Sequence, residues 1–456
     1  VEHPDRATRI ADGRAARERR PRSAHAGWTP APDRSHPVDL LRSQEATRVA
    51  DLIPIRHERM LVSPFTFYRG AAILMANDLA SRPDTGLTVQ LCGDAHVANF
   101  GGFLAPDRSF VFDMNDFDET HTGPFEWDIY RLATSMMLAA DGIGLSAGRA
   151  RDIVRNCVQA YRVAMRGFAQ MPNLDVWYAR LDLAQVFEEA NQRISQAQRL
   201  RLGSNVDRAK DKNSLRAFTK LTEVVDGEPR FRSDPPLIVP VRDMMADNPN
   251  LDVTGWIQDR IRGYRQSLQS DRRHLLEQYR MVDAARKVVG VGSVGTRCWI
   301  VLMLGCDAND PLILQVKEAQ ASVLETHTGA SVFPEHGQRV VEGQRLLQAA
   351  SDVMLGWFNT TTISGGEAEF YARQLWDGKL TVDLGQIRPR PLNVLGELCG
   401  WTLARGHARS GDRTAINAYL GNKSTFDDAI VAFAEDYVLQ NAADYEMSRT
   451  LLGGAA

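Results

Sequence analysis

The run VVGVGSVGTRCWIVLMLGCDANDPLILQVKEA, residues 288–319, constrains the fold more than any other stretch of the chain. β-Branched and large apolar residues crowd it, and glycines recur at 290, 292 and 295, so a continuous helix is excluded. The pattern predicts a hairpin with a glycine-rich tip followed by a second apolar strand, PLILQVK. EAEFYARQLW and LTVDLGQI read as two further strands, and 338–358 reads as a strong helix among them.

The rest of the chain has a different texture. Residues 1–40 are rich in Arg, Pro and Asp with little periodicity, and read as a mobile or loosely docked arm. Its Arg19, Arg20 and Arg22 are candidates for touching an anion. Helices are predicted over 40–51 and 69–81, and short strands over 87–92 and 109–113. From 125 to about 270 the pattern is mostly helical, with helix signals at 147–170, 178–200 and 252–280 and a loop-rich stretch over 203–250. Helical periodicity returns over 392–452. The expected division is an arm (1–40), a helical large lobe carrying the catalytic and metal loops (41–280), a small β-rich nucleotide lobe (281–380) and C-terminal helices packing on the large lobe (381–456).

Composition sets outer limits. Net charge is −3, which gives no reason to expect nucleic acid or an anionic membrane as partner. No apolar window reaches the roughly 18 residues of a spanning helix, and the charged N-terminal stretch lacks the apolar run of a signal peptide. Five cysteines stand far apart with no CxxC pair, which points to reduced thiols, a cytoplasmic location and no zinc framework. Only seven of the 54 basic residues are lysine, so a lysine in a chemically suggestive place carries weight.

Two such places stand out. In QLCGDAHVANFGGF a short apolar run breaks into Asp94, His96 and Asn99, and FVFDMNDFDE follows with Asp113, Asp116, Asp118 and Glu119. Sequential strands usually neighbour each other, so the loop ends would bring an Asp, an Asn and a further Asp to one point. Oxygen donors of that kind suit Mg²⁺ together with substrate phosphates. Asp94 is placed to orient a hydroxyl nucleophile. Acids and amides also cap turns, and glycines also mark plain hairpins. The second place is the tip Gly290, Gly292, Ser293 and Gly295, whose backbone N–H groups suit phosphate oxygens. It lies between two strands, which argues against a dinucleotide fold that needs a helix N-terminus there. Lys317 ends the next strand and would need a carboxylate to hold it, Glu342 first and Glu325 second.

Together these residues resemble the protein-kinase-like superfamily, most closely its aminoglycoside- and choline-type phosphotransferases. That family's His-Gly-Asp-x-His-x-x-Asn is matched by Cys92 to Asn99 at every position but the first. GPFEWDIYRLA, with Asp128, is similar to a second family motif. The resemblance implies an α+β, two-lobed, protein-kinase-like fold. It also implies ATP and Mg²⁺, with Asp94 and His96 in the catalytic loop, Asn99 and either Asp113 or Asp116 on the metal, and the strand around 371–376 facing an adenine. The order is reversed relative to kinases, so the fold would be circularly permuted, which exposed cuts and neighbouring termini permit. SPFTFYRG, CGDAHVANFGGF, FDMNDFDET and FYARQLWDGK are also similar to a bacterial family of unknown function, DUF2252. The leading expectation is an ATP- and Mg²⁺-dependent phosphotransferase acting on an unidentified, small-molecule acceptor. The alternatives are a catalytically silent nucleotide sensor and a metal-dependent hydrolase. Arg56, Arg59, Arg69, Arg388 and Arg390 are candidates for an anionic substrate or product.

Overall fold

An apolar strand ending in lysine needs neighbours on both edges and cover on both faces, and this chain supplies them. The computed structural model describes residues 3–186, 214–246, 253–361, 366–375, 378 and 380–453. Helix and sheet are mixed, in an α+β architecture. Four short strands come first: β1 (Thr88–Leu91), β2 (Phe100–Leu104), β3 (Phe110–Met114) and β4 (His121–Pro124). β1 pairs with β4, and β2 with β3, which also takes β5 (Leu181–Asp182). β6 (Thr222–Val225) and β7 (Glu228–Phe231) form a separate hairpin.

The six remaining strands are β8 (Ile238–Pro240), β9 (Arg280–Lys287), β10 (Cys298–Leu304), β11 (Pro311–Ala319), β12 (Gly356–Thr361) and β13 (Glu367–Gln374). They form one antiparallel sheet in the order β12-β13-β11-β10-β9-β8. β11 is buried at every position. Its alternation explains why: Leu312, Leu314 and Val316 face one core with Tyr264 and Leu268, while Ile313 faces a second core with Ala217 and Leu221. Gln315 and Lys317 continue the Ile313 face, so that face turns from apolar to polar along the strand.

The helical body is built on Glu126–Gly142, buried from Glu126 to Ala140 and therefore apolar nearly all round. Pro389–Ser410 lies close against Ala147–Phe168, because a Cβ at Gly400 would stand 2.2 Å from the carbonyl oxygen of Cys157. Among the described residues no helix is long and apolar enough to cross a membrane.

Several sequence expectations are corrected. The stretch 1–40 is not a loose arm: Arg6–Arg19 is a helix capped by Asp5, and a Cβ at Gly13 would meet Ala415 O at 2.1 Å. Arg17, Arg20, Arg22 and Arg34 are spent on protein groups. Arg17 and Arg22 donate to the last carbonyls of helix Arg413–Leu420, and Arg20 donates to Tyr130 Oη at 3.1 Å. Arg34 bridges Asp78 and Asp444. The helix expected over 338–358 ends at Leu347, and Gly356–Thr361 is a strand instead. Asp352 makes the turn by accepting from the N–H groups of Met354 and Gln374. LTVDLGQI is not a strand; only Leu380 pairs, across a bridge to Gly102. The helix expected over 69–81 breaks at Ala71, and the loop-rich stretch contains β6, β7 and β8. The expected helix over 178–200 begins with β5, and 187–200 lie outside the described residues.

Glu126 offers a test of the helical core. Its carboxylate accepts from Thr85 N–H and Oγ–H, both at 2.8 Å, and burial pushes it up to about 7 from 4.5. A raised carboxyl holds a proton in the folded state that the unfolded chain has released. The resulting stability is fully present below pH 4.5 and lost as pH rises through 7. Glu126→Gln, permanently neutral, should match wild type at pH 4 and exceed it at pH 8 by on the order of 3 kcal/mol in urea unfolding. A difference that stays flat with pH would contradict this.

Candidate active site

Gly93 follows β1 with φ +85°, and a Cβ there would stand 2.0 Å from Glu119 O. The left-handed turn and this close approach both require glycine. Asp128, at the start of helix Glu126–Gly142, fixes the turn by accepting from Cys92 N–H at 2.7 Å and Gly93 N–H at 3.0 Å. His407 braces Asp128 at 3.2 Å and is itself held by Tyr161 at 2.9 Å.

The turn presents Asp94. Its Oδ1 accepts from Arg131 Nε at 2.8 Å, and the Arg131 guanidinium stacks 3.9 Å from the Tyr68 ring. Oδ2 lies 3.6 Å from His96 Nε2. Burial raises the Asp94 carboxyl above its ordinary value, against the pull of Arg131. His96 is buried and its pKa is driven well below the usual imidazole range by desolvation, so it is neutral. Asn99 Nδ2 donates to Asp94 O at 2.8 Å, which ties the two ends of the loop together.

The acidic segment after β3 divides by burial. Asp113 points into the protein, with both Asp113 and Arg405 about 1% exposed and ion-paired. It also accepts from Met114 N–H at 2.9 Å and Ala349 N–H at 2.8 Å. Asp113 is therefore a structural anchor and is corrected as a metal candidate. Asp116 instead lines the cavity with Asp94, His96 and Asn99, and its Oδ1 is buried without a hydrogen bond.

Lys317 reaches this segment. Its Nζ lies 2.5 Å from Asp118 Oδ2 and 3.6 Å from Asp116 Oδ1. Asp118 also accepts from Tyr371 Oη at 2.6 Å and Ser293 Oγ at 3.1 Å. The Lys317 ammonium is held well above its ordinary pKa by the two carboxylates, and the Asp118 carboxyl is correspondingly lowered. Glu342 is not the partner of Lys317, since it pairs with Arg345 at 2.9 Å. Glu325 is not either: it lies 3.5 Å from Arg339 and 3.6 Å from His336. The carboxylate comes from the acidic loop rather than the helix. Periodicity within β11 shows which way Lys317 faces but nothing of what it meets there.

Gly290 and Gly295 take φ +70° and +95°. The tip is seated on N-terminal helices: Arg59 donates to Gly290 O at 2.9 Å, Arg48 to Val294 O, and Val49 N–H to Gly295 O at 2.8 Å. One cavity of about 1030 Å³ is lined by Asp94, His96 and Asn99 of the turn, Asp116, Asp118 and residues 290–293 of the tip. A second, of about 420 Å³, shares Asp116, Gly290 and Ser293 and adds Lys317, Lys287 and Gln374. Sequence reading passed over Lys287, although the scarcity of lysine pointed at it. It also missed Arg131 and Tyr371. Tyr371–Gln374 pair with β11, Leu375 N–H donates to Ile313 O at 2.9 Å, and Gln374 N–H donates to Asp352; Trp376 lies outside the described residues.

The site residues fall within the span of a known family. A family model described as an uncharacterized protein conserved in bacteria, DUF2252, matches residues 48–450, and the chain belongs to that family. No curated protein and no solved structure matches it.

Proposed function

We propose that the protein is an ATP- and Mg²⁺-dependent phosphotransferase of kinase-like design, with its glycine tip and lysine placed after the catalytic turn in the chain. The carrying observation is convergence. Lys317 and Ser293 lie 199 and 175 residues from Asp118, yet both hydrogen-bond to it beside the cavity that Asp94 and Asn99 line. Phosphoryl transfer asks a protein for positioning and charge, and these residues supply both.

The division of labour follows from the contacts. Arg131 holds Asp94 Oδ1, which leaves Oδ2 to orient an acceptor hydroxyl and take its proton. Lys317, third-strand lysine of a β9–tip–β10–β11 meander, would balance nucleotide phosphate charge beneath the tip. Asn99 and Asp116 offer oxygen donors, and Asp116 Oδ1, which has no hydrogen bond and only the more distant Lys317 ammonium at 3.6 Å, fits a hard cation that completes its shell with phosphate. When bound, Mg²⁺ would neutralise phosphate charge. Among the described residues no three His, Cys, Asp or Glu side chains form a metal-holding group by themselves, so a cation here would need phosphate oxygens to complete its shell.

Thermal and urea unfolding with ATP and Mg²⁺ test this reading. At about 100 times the dissociation constant, ligand should add roughly 2.7 kcal/mol, and Lys317→Ala should remove that gain. The variant will itself be less stable, because Asp116 and Asp118 lose their cation, so the comparison is ligand-induced gain against each protein's own baseline. Stabilisation by metal alone, with no nucleotide effect, would refute the assignment.

A further inference from the structure

The arginines around the site are nearly all committed. Arg48 and Arg59 hold the tip, Arg131 holds Asp94, and Arg297 pairs with Glu318 at 2.8 Å. Arg69 differs. It lines the larger cavity with Asp94, Asn99 and Asp116, its Nε is buried without a hydrogen bond, and among the described residues it has no ion pair. The half-buried guanidinium has the Asp94 and Asp116 carboxylates within electrostatic reach but in contact with neither, so its remaining N–H donors face the cavity without a protein acceptor and suit an anion there.

The position of Arg69 is fixed from both sides. Tyr68 O accepts from Arg131 at 2.6 Å, and Gly70 O accepts from Arg56 at 3.1 Å. The glycine tip lies directly over it, since a Cβ at Gly292 would stand 3.2 Å from Arg69 O. Residue 69 is thus next to the arginine that holds Asp94 and under the loop that would cover the nucleotide.

We propose that Arg69 binds the phosphoryl group in transit between nucleotide and acceptor. This rests on the phosphotransferase reading. In the step, the acceptor oxygen bonds to the γ-phosphorus and its proton passes to Asp94. The bond from that phosphorus to the bridging oxygen breaks, and its electron pair leaves with ADP. Negative charge is spread over the three equatorial oxygens throughout the transfer, and a planar guanidinium with several donors matches them.

Titration calorimetry with Mg²⁺ and either ATP or ADP, on wild type, Arg69→Ala and Arg69→Lys, tests the proposal. Arg69→Ala should weaken ATP roughly tenfold or more and leave ADP within about twofold, with Arg69→Lys between, because only ATP carries the group that Arg69 would touch. The melting temperature without ligand should stay close to wild type. Equal loss of both nucleotides would make Arg69 a support for the tip and overturn the proposal, as would unchanged binding of both. Orthophosphate alone is the remaining probe. If it stabilises wild type but not Arg69→Ala while ATP binding is unaffected, the anion belongs to the acceptor and the proposal fails. Wild type that binds neither nucleotide would instead bring down the phosphotransferase reading itself.

Discussion

Asp113→Asn should cost about 3–5 kcal/mol of folding stability, the usual penalty for stranding one member of a buried ion pair. Arg405 depends on this carboxylate: its Nε and Nη1 are buried without hydrogen bonds, and its Nη2 donates to Asp113 Oδ1. Asparagine keeps an acceptor for one of the N–H groups of Met114 and Ala349 but loses the charge. The guanidinium would then lie uncompensated in the buried interior. Urea unfolding without metal or nucleotide reads this effect directly. The double variant Asp113→Asn with Arg405→Met should recover most of the loss, since replacing a whole buried pair by packed apolar atoms is often neutral. A metal ligand would behave in the opposite way, with near-normal stability of the metal-free protein and loss of metal dependence. That outcome would return Asp113 to the site.

The Asp113 correction shows what the sequence could and could not convey. Strand alternation over FVFDMNDFDE reveals short apolar β-structure followed by acids, but it cannot say which acid meets a cation from a helix 292 residues away. Arg405 lies in an apolar helical pattern, where arginine looks like a surface residue. The same limit explains Lys317. Its strand and glycine hairpin were legible from β-branched alternation, and the structure has both. The carboxylate expected for it, Glu342 or Glu325, lies later in the chain, whereas the fold uses Asp118.

The N-terminal stretch was misread for a related reason. Helix Arg6–Arg19 buries only Gly13 and Ala16, too little apolar character to produce a periodic signal. It is held by guanidinium-to-carbonyl bonds and by a glycine seat, and hydropathy registers neither. The helix assigned to 338–358 failed at its far end because Trp357 and Phe358 satisfy helical and strand patterns alike. Pairing with β13 settles the matter, through Trp357 opposite Tyr371.

On the phosphotransferase proposal, Asp94→Asn should lower turnover by about 10²–10⁴-fold while leaving the ATP dissociation constant within roughly twofold, as expected for loss of a proton acceptor. The asparagine carbonyl can still accept from Arg131 Nε, so the Tyr68–Arg131 scaffold around the turn has a partner. What disappears is the carboxylate oxygen facing His96 and the cavity. The pH profile supplies a second readout. Activity requires ionised Asp94, and burial raises this carboxyl, so wild-type rate should fall with decreasing pH earlier than an exposed aspartate would dictate. Residual activity of Asp94→Asn should lack that acid limb. His96 should contribute no limb near neutral pH, because desolvation drives its pKa well below the usual imidazole range. Full turnover in Asp94→Asn would remove the proton-accepting role. Loss of ATP binding together with turnover would make Asp94 part of the nucleotide site, and Arg131 would then be holding a phosphate contact rather than a base.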